Sequence, residues 1–242
     1  MIGAGGIGCP VALALATAHA RGELQDVRLV VLDDDLVEAE NLHRQILFEE
    51  RDLSTPKGIA LARRVQEISP TLEVRGLIER FLPDSALALA ESADILVDAS
   101  DNFATRFLAA DAAHLARRPL VSAASIRWLA TVVLGLPQGP CYRCVFEDSP
   151  EGDAPDCASA GIIGPICGVA GAIAADLAIQ LVRGNHSANR VFSYDGRTDL
   201  LRAISVRRRE SCALCGPSAN ITTIDAPRYA AVSCESPAMG AA

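Results

Sequence analysis

The chain has 242 residues, half of them hydrophobic and 4% aromatic, with a formal net charge of −8. That length suits one substantial α/β domain rather than two generous ones, and the acidic balance excludes nucleic acid as the main partner, because a phosphate backbone needs a basic face. Eight cysteines would suit disulfides in a small secreted protein, but two distant Cys-x-x-Cys pairs fit a metal site in a reducing compartment, so the expected location is the cytoplasm.

Gly3-Ala4-Gly5-Gly6-Ile7-Gly8 opens the chain and leads through Cys9-Pro10 into an Ala/Leu helix ending near Ala20. Gly3, Gly5 and Gly8 match the G-x-G-x-x-G loop, whose glycines let backbone approach phosphates at a helix N-terminus. Alone, that motif is weak, and most of its matches are NAD or FAD folds or chance. A buried strand should precede it. Only Met1 and Ile2 do, so the first strand is expected to be truncated, with the natural start upstream or the chain shortened. Ala18-His19-Ala20 imitates a signal-peptide cleavage site, but no basic segment precedes it.

An apolar strand over residues 26–32 then runs into Asp33-Asp34-Asp35, and a carboxylate at such a strand end can hydrogen-bond ribose hydroxyls. Asn41 follows, then Arg44, a permanent cation able to grip phosphate oxygens in a fork. A ribose anchor followed by a phosphate clamp is an arrangement for ATP; the plainer alternative is a solvated acidic loop. Ser54-Thr55-Pro56-Lys57-Gly58 begins a helix to about Ile68, with Ile59, Leu61, Ala62, Val65 and Ile68 on its buried side. Lys57 is the only lysine in the chain. It sits in the first turn, where the helix dipole disfavours a cation, so it either meets an anion or is a surface residue.

Residues 72–78 read as a strand, 84–92 as a helix and 94–98 as another strand, which ends in Ala99-Ser100-Asp101-Asn102 before a helix carrying Arg106. A carboxylate at a second strand end, on the same crevice, is a natural Mg²⁺ ligand beside a triphosphate. Asp101 or Asn102 would serve equally as a helix N-cap. With further strands at residues 120–122 and 130–136, the alternation predicts an α/β fold with a doubly wound, mostly parallel, Rossmann-like sheet.

Cys141-Tyr142-Arg143-Cys144 and Cys212-Ala213-Leu214-Cys215-Gly216 are the strongest chemical signal. Four thiolates in two knuckles suit a tetrahedral structural Zn²⁺ with no position open for catalysis. Such a knuckle would staple late strands, at residues 191–194 and 201–206, to the middle of the chain. Between the pairs, polar residues 147–155 lead to Cys157, a thiol on an exposed loop that is either a nucleophile or a bystander. Cys9 and Cys167 read as buried. Residues 162–182 are apolar enough to mimic a membrane span, but Gly164-Pro165 and Asp176 interrupt them, and a buried helix over 165–183 is expected, with no membrane partner. Residues 217–242 read as a loosely ordered tail beyond a nucleotide-binding domain over 1–216, and Cys234 is given no role.

Taken together, these motifs resemble the ThiF/MoeB/HesA family, bacterial relatives of ubiquitin-activating enzymes, across about residues 3–216. The resemblance rests on Gly3-x-Gly5-Gly6-x-Gly8, Asp33-x-Asp35 followed by Asn41-Leu42-x-Arg44-Gln45, Pro56-Lys57, Asp101-Asn102 with Arg106, and the two cysteine knuckles. Without a rhodanese-like extension, the chain is most similar to the short MoeB/ThiF type. The resemblance implies an ATP-dependent adenylyltransferase acting on the C-terminal Gly-Gly carboxylate of a ubiquitin-like sulfur carrier, in molybdopterin, thiamine or related sulfur-transfer biosynthesis. It implies a homodimer, a sulfurtransferase as a further partner, and ATP, Mg²⁺ and Zn²⁺ as cofactors. Gly6 would lie under the phosphates and Asp33 hold the ribose; Asn41, Arg44 and Lys57 would contact phosphates and Asp101 bind Mg²⁺, with Asp35 and Asn102 in the same site. Cys157 matches a position linked in relatives to a thioester or persulfide step. The chain departs from the family in lacking an N-terminal helix whose Arg reaches the partner subunit's ATP site, in placing Glu40 where Ser is usual, and in a lengthened segment over 20–26. Two rivals stand beside this reading. An NAD-dependent oxidoreductase would account for the glycine loop and Asp33 but not for Arg44, Lys57 or the knuckles. A non-catalytic adaptor of the same fold would bind a ubiquitin-like protein without turning over ATP.

Overall fold

Where apolar runs meet carboxylates, strands end, and the order of those ends builds the site. A computed structural model describes residues 1–148, 161–185 and 189–229. Its strands are β1 (Arg28–Leu32), β2 (Glu73–Leu77), β3 (Leu96–Asp98), β4 (Leu120–Ile126), β5 (Leu129–Gly135), β6 (Arg190–Asp195) and β7 (Leu200–Ser205). Its α-helices are α1 (Gly8–Ala20), α2 (Lys57–Ile68), α3 (Pro83–Glu91), α4 (Phe103–Leu115), the single turn α5 (Tyr142–Val145) and α6 (Gly164–Val182).

Two parallel pairs, β1 with β2 and β3 with β4, form the parallel side of the sheet. Ile2 joins them through isolated parallel bridges to Leu32 and Asp98. Its N–H donates to Val97 O at 2.8 Å, its carbonyl accepts from Ala99 N–H at 2.8 Å, and Leu32 N–H donates to Met1 O at 3.0 Å. The position of the strand expected before the glycine loop is thus held by a single bridging residue. From β4 onward the pairing turns antiparallel through β5, β6 and β7. Only Arg127 and Trp128 separate β4 from β5, too few residues for a crossover, so the strands must fold back as a hairpin.

Helices cover both faces. On one, α1, α2 and α6 bury Val11, Leu61, Val65 and Leu177 against Val31, Val97, Val121 and Val132; on the other, α3 and α4 bury Ala86, Phe107 and Leu108 against Leu32, Leu96 and Leu120. Small residues bring α1 and α6 close: a Cβ on Gly171 would lie 2.5 Å from Pro10. The helix α6 is long and apolar enough to cross a membrane by length and composition, yet half of its apolar window is buried inside the protein, against α1, β4 and β5.

One expectation needs correction. Ile59 is 42% exposed, because the buried stripe of α2 runs instead through Gly58, Ala60, Leu61, Arg64 and Val65. After Pro217 most of the described residues are exposed, but Ile221 is buried against the cysteine cluster, and Tyr229 is buried against α4, its hydroxyl donating to Asp111 Oδ2 at 2.7 Å. Two apolar anchors and a satisfied phenol hold a stretch whose polar composition reads as a tail.

Candidate active site

The glycine loop passes between the ends of β1 and β3. Gly3 has φ +90°, and a Cβ there would lie 2.8 Å from Ala99 O; a Cβ on Gly8 would lie 2.4 Å from Gly3 O. Those two glycines let the loop close on itself and on β3. Gly5 has open space beside it, with only Gln45 Nε2 within 4 Å of an added Cβ, at 3.8 Å. Gly6 lies under the stem of Arg44 and beside Cys167 Sγ, at 3.2 and 3.1 Å from its added Cβ.

Asp33 leaves β1 and turns under this loop. Its Oδ2 accepts from Ala4 N–H at 2.7 Å and its Oδ1 from Asp35 N–H at 2.9 Å. Burial pushes its pKa up, against the opposing pull of the Ala4 amide and the Lys57 ammonium. Lys57, at the start of α2, is 6% exposed. Its Nζ donates to Asp35 Oδ2 at 2.7 Å and its main-chain N–H to Asp35 O at 2.8 Å. The lone lysine therefore does meet an anion, one supplied by the chain itself.

The second strand end is locked differently. Asp98 is fully buried and accepts from Ser100 N–H at 3.0 Å, Ser100 Oγ at 2.6 Å and Ser122 Oγ at 2.6 Å. Arg106 donates from Nη2 to Ser100 O at 2.8 Å. This fixes the loop that presents Asp101, which is exposed. Asn102 caps α4, its Oδ1 accepting from Thr105 N–H at 2.8 Å, so its plain structural role is fulfilled.

These groups share a crevice of about 950 Å³ whose lining includes Gly3, Gly5, Gly6, Asp33, Asp35, Arg44, Lys57, Asp101 and Asn102. It adjoins an apolar recess of about 220 Å³ lined by Phe103, Phe107, Ile126, Leu129 and Phe146, with Asp101, Arg106 and Ser125 bordering both. Two expected site residues stand apart from the crevice lining. Gly8 is packed inside the loop. Asn41 is buried, and its Nδ2 donates to Glu38 Oε2 at 3.1 Å, a local bond that a short helical turn (Ala39–Asn41) makes available. Cys157 lies outside the described residues.

Cys141, Cys144, Cys212 and Cys215 converge as their spacing predicts, all four Sγ atoms lying within 4.8 Å of one another. Neighbouring separations are 4.0 Å (141–144), 3.5 Å (141–212), 3.3 Å (144–215) and 3.6 Å (212–215). A tetrahedral zinc with bonds of about 2.3 Å needs sulfurs roughly 3.8 Å apart, so the donor set fits that ion. Against the cost of burial, the backbone N–H groups of Cys215 and Leu214 bring the Cys212 thiol down to about 7.

Sequence reasoning missed a buried network beside the knuckle. Arg143, between the first two cysteines, pairs with Asp111 through Nε (2.8 Å) and Nη2 (2.9 Å), and with Asp148 through Nη1 (2.7 Å). It also stacks over Phe107, 4.7 Å from the ring centroid. Arg143, Asp148 and Tyr229 all line the crevice, so the metal knuckle and the far end of the described chain meet at its wall. Gln45 lines it too, and the only hint was its place in the motif beside Arg44.

Residues 1–214 match the ThiF family. The chain is 35% identical over 230 residues to the adenylyltransferase and sulfurtransferase MOCS3 of Dictyostelium discoideum, covering 93% of this chain and 53% of that protein. It is 36% identical over 225 residues to the sulfur carrier protein adenylyltransferase of Thermus thermophilus (89% of this chain, 81% of that protein). It is likewise 36% identical over 219 residues to the SAMP-activating enzyme E1 of Haloferax volcanii (89% and 79%). The chain spans about half the length of the MOCS3 relatives it matches. Among solved structures, E. coli MccB with ATP superposes with a TM-score of 0.73 at 24% identity, over 88% of this chain and 65% of that one, which places the two in the same fold.

Proposed function

The chain belongs to the ThiF family, and from that premise we propose that it is an ATP-dependent adenylyltransferase acting on the C-terminal Gly-Gly carboxylate of a ubiquitin-like sulfur-carrier protein. One observation carries the reading: the glycine loop, the Asp33 and Asp101 carboxylates at two strand ends, and the Arg44 and Lys57 cations all border one crevice. The adenylyltransferase names of relatives about 35% identical support it.

In this reading Asp33, its two oxygens already oriented by backbone amides, accepts hydrogen bonds from the ribose hydroxyls. The carrier's terminal carboxylate is ionised at neutral pH and attacks the α-phosphate without needing a general base, forming the acyl-adenylate as the α–β phosphoanhydride bond breaks and pyrophosphate leaves. Negative charge builds on the phosphate oxygens, where preorganised cations act most strongly. Lys57 meets that charge with the two ammonium hydrogens that Asp35 leaves free, and Arg44 meets it with its planar fork. Asp101 is an exposed carboxylate of this crevice that would hold a magnesium ion, which when bound would neutralise part of the triphosphate charge. Zinc on the four cysteines would be structural. Asn41 joins the phosphate site only if its amide leaves Glu38. We assign the thioester or persulfide step to Cys157, sulfur donation to a separate sulfurtransferase, and the working state to a cytoplasmic homodimer.

The test is mass detection of the carrier acyl-adenylate after mixing protein, ATP, magnesium and carrier, with a carrier lacking its last glycine as control. An adenylate on the intact carrier alone is expected. Carrier binding without adenylate would turn the reading to the adaptor, and tight NAD(H) binding would turn it to the oxidoreductase.

A further inference from the structure

Arg143 stands between Cys141 and Cys144, so the knuckle that would hold zinc also sets where this side chain begins. Its carbonyl accepts from Arg209 Nη2 at 2.9 Å, and Arg209 N–H donates to Cys144 Sγ at 3.5 Å, which ties it to the chain entering the second cysteine pair. From there the guanidinium reaches out of the knuckle. Nε and Nη2 grip both oxygens of Asp111, whose Oδ2 also accepts from the Tyr229 hydroxyl. Nη1 donates to Glu147 O at 3.1 Å and to Asp148 Oδ1 at 2.7 Å. Arg143 and Asp111 are buried, whereas the Asp148 side chain is 84% exposed. A buried ion pair is often no more stabilising than apolar side chains of the same volume. What this one adds is geometry, because one planar fork fixes two separate pieces of crevice wall.

Asp148 borders both the crevice and the apolar recess. The recess is lined by Phe103, Phe107 and Phe146, and its lining includes neither the glycine loop nor Asp33, Arg44 or Lys57. A triphosphate there would leave charged oxygens against apolar walls, whereas a peptide segment would not. We propose that Arg143 is a positioning residue for the carrier: braced by the knuckle, it holds Asp148 and, through Asp111, Tyr229 where the carrier's chain end enters the crevice. The inference rests on the adenylation reading above and deepens it. Arg143 acts through Asp148 and Tyr229 and takes no part in the phosphate chemistry, so its loss weakens use of the carrier and leaves use of ATP intact.

Carrier-dependent ATP–pyrophosphate exchange, urea unfolding and zinc content by elemental analysis are measured on wild type, on the double variant Arg143→Met/Asp111→Leu and on Asp148→Ala. Arg143→Met alone would strand a buried carboxylate and destabilise the chain whatever the role of Arg143, so both charges are removed together. The two variants are expected to keep their zinc and to unfold near the wild-type urea midpoint. Their KM for the carrier is expected to rise about tenfold, the effect of a loosened wall that no longer orients its ligand, with kcat and the KM for ATP unchanged. A merely structural ion pair would give no such split, because all three constants would stay at wild-type values once fold and zinc are retained. If the double variant loses its zinc or fails to fold, Asp148→Ala decides alone. An unchanged carrier KM in whichever variant folds overturns the proposal, and so does an equal rise in the KM for ATP. Absence of exchange by wild type would instead defeat the adenylation reading itself, a result separate from any effect of Arg143.

Discussion

Lys57 and Asp35 hold each other twice, ammonium to carboxylate at 2.7 Å and main-chain N–H to carbonyl at 2.8 Å. The main-chain bond fixes where α2 begins relative to the end of β1. The side-chain bond keeps a nearly buried cation aimed at the crevice, while its partner stays 66% exposed. The two residues therefore separate in their consequences. Lys57→Ala is expected to lower the rate of ATP–pyrophosphate exchange by about two to three orders of magnitude, as for loss of one preorganised donor. Asp35→Asn is expected to change folding stability by less than about 0.5 kcal/mol, because the partly exposed pair adds little. Exchange kinetics and urea unfolding check the two arms.

Asp98 carries the opposite balance, with no exposure and three hydrogen bonds from Ser100 and Ser122. Asp98→Ala strands two buried hydroxyls and frees the loop that presents Asp101. A loss of about 2–3 kcal/mol in urea unfolding is expected, together with weaker magnesium dependence of ATP binding.

Metal removal should act through structure. One zinc per chain is expected by elemental analysis. Chelation, or Cys212→Ser, should lower Tm and loosen the packing of Ile221 and Tyr229, read as faster amide exchange in residues 212–229.

Histidine 114, in the last turn of α4, has its pKa pushed below the usual 6.5 by burial first and by Arg208 second. The unfolded chain therefore binds its proton more readily than the folded one. Stability is fully present above pH 6.5 and falls as pH drops below that value, until the folded-state pKa is passed. Replacing the ring by His114→Asn should flatten the dependence of Tm on pH below about 6.5, where wild type shows a slope.

The crevice was largely legible because its chemistry sits at strand ends and in short motifs: the glycine loop, Asp33, Lys57 and the paired cysteines are each recognisable within a few residues. What escaped depends on contacts distant in sequence. Arg143 and Asp111 are 32 positions apart, and Tyr229 and Asp111 are 118 apart, so no window shows that the three meet. The hairpin between β4 and β5 was hidden because Arg127, with φ 50°, takes a conformation usually marked by Gly or Asn. Asn41 stands off the crevice lining for a local reason, since Glu38 lies one helical turn away and takes its amide.

The central claim is adenylate formation in this crevice. ATP–pyrophosphate exchange, measured with a panel of ubiquitin-like carriers ending in Gly-Gly, tests it most directly. Exchange is expected to require both ATP and one such carrier and to collapse with Lys57→Ala. No exchange with any carrier, from folded, zinc-loaded protein, or exchange unaffected by Lys57→Ala, would contradict it.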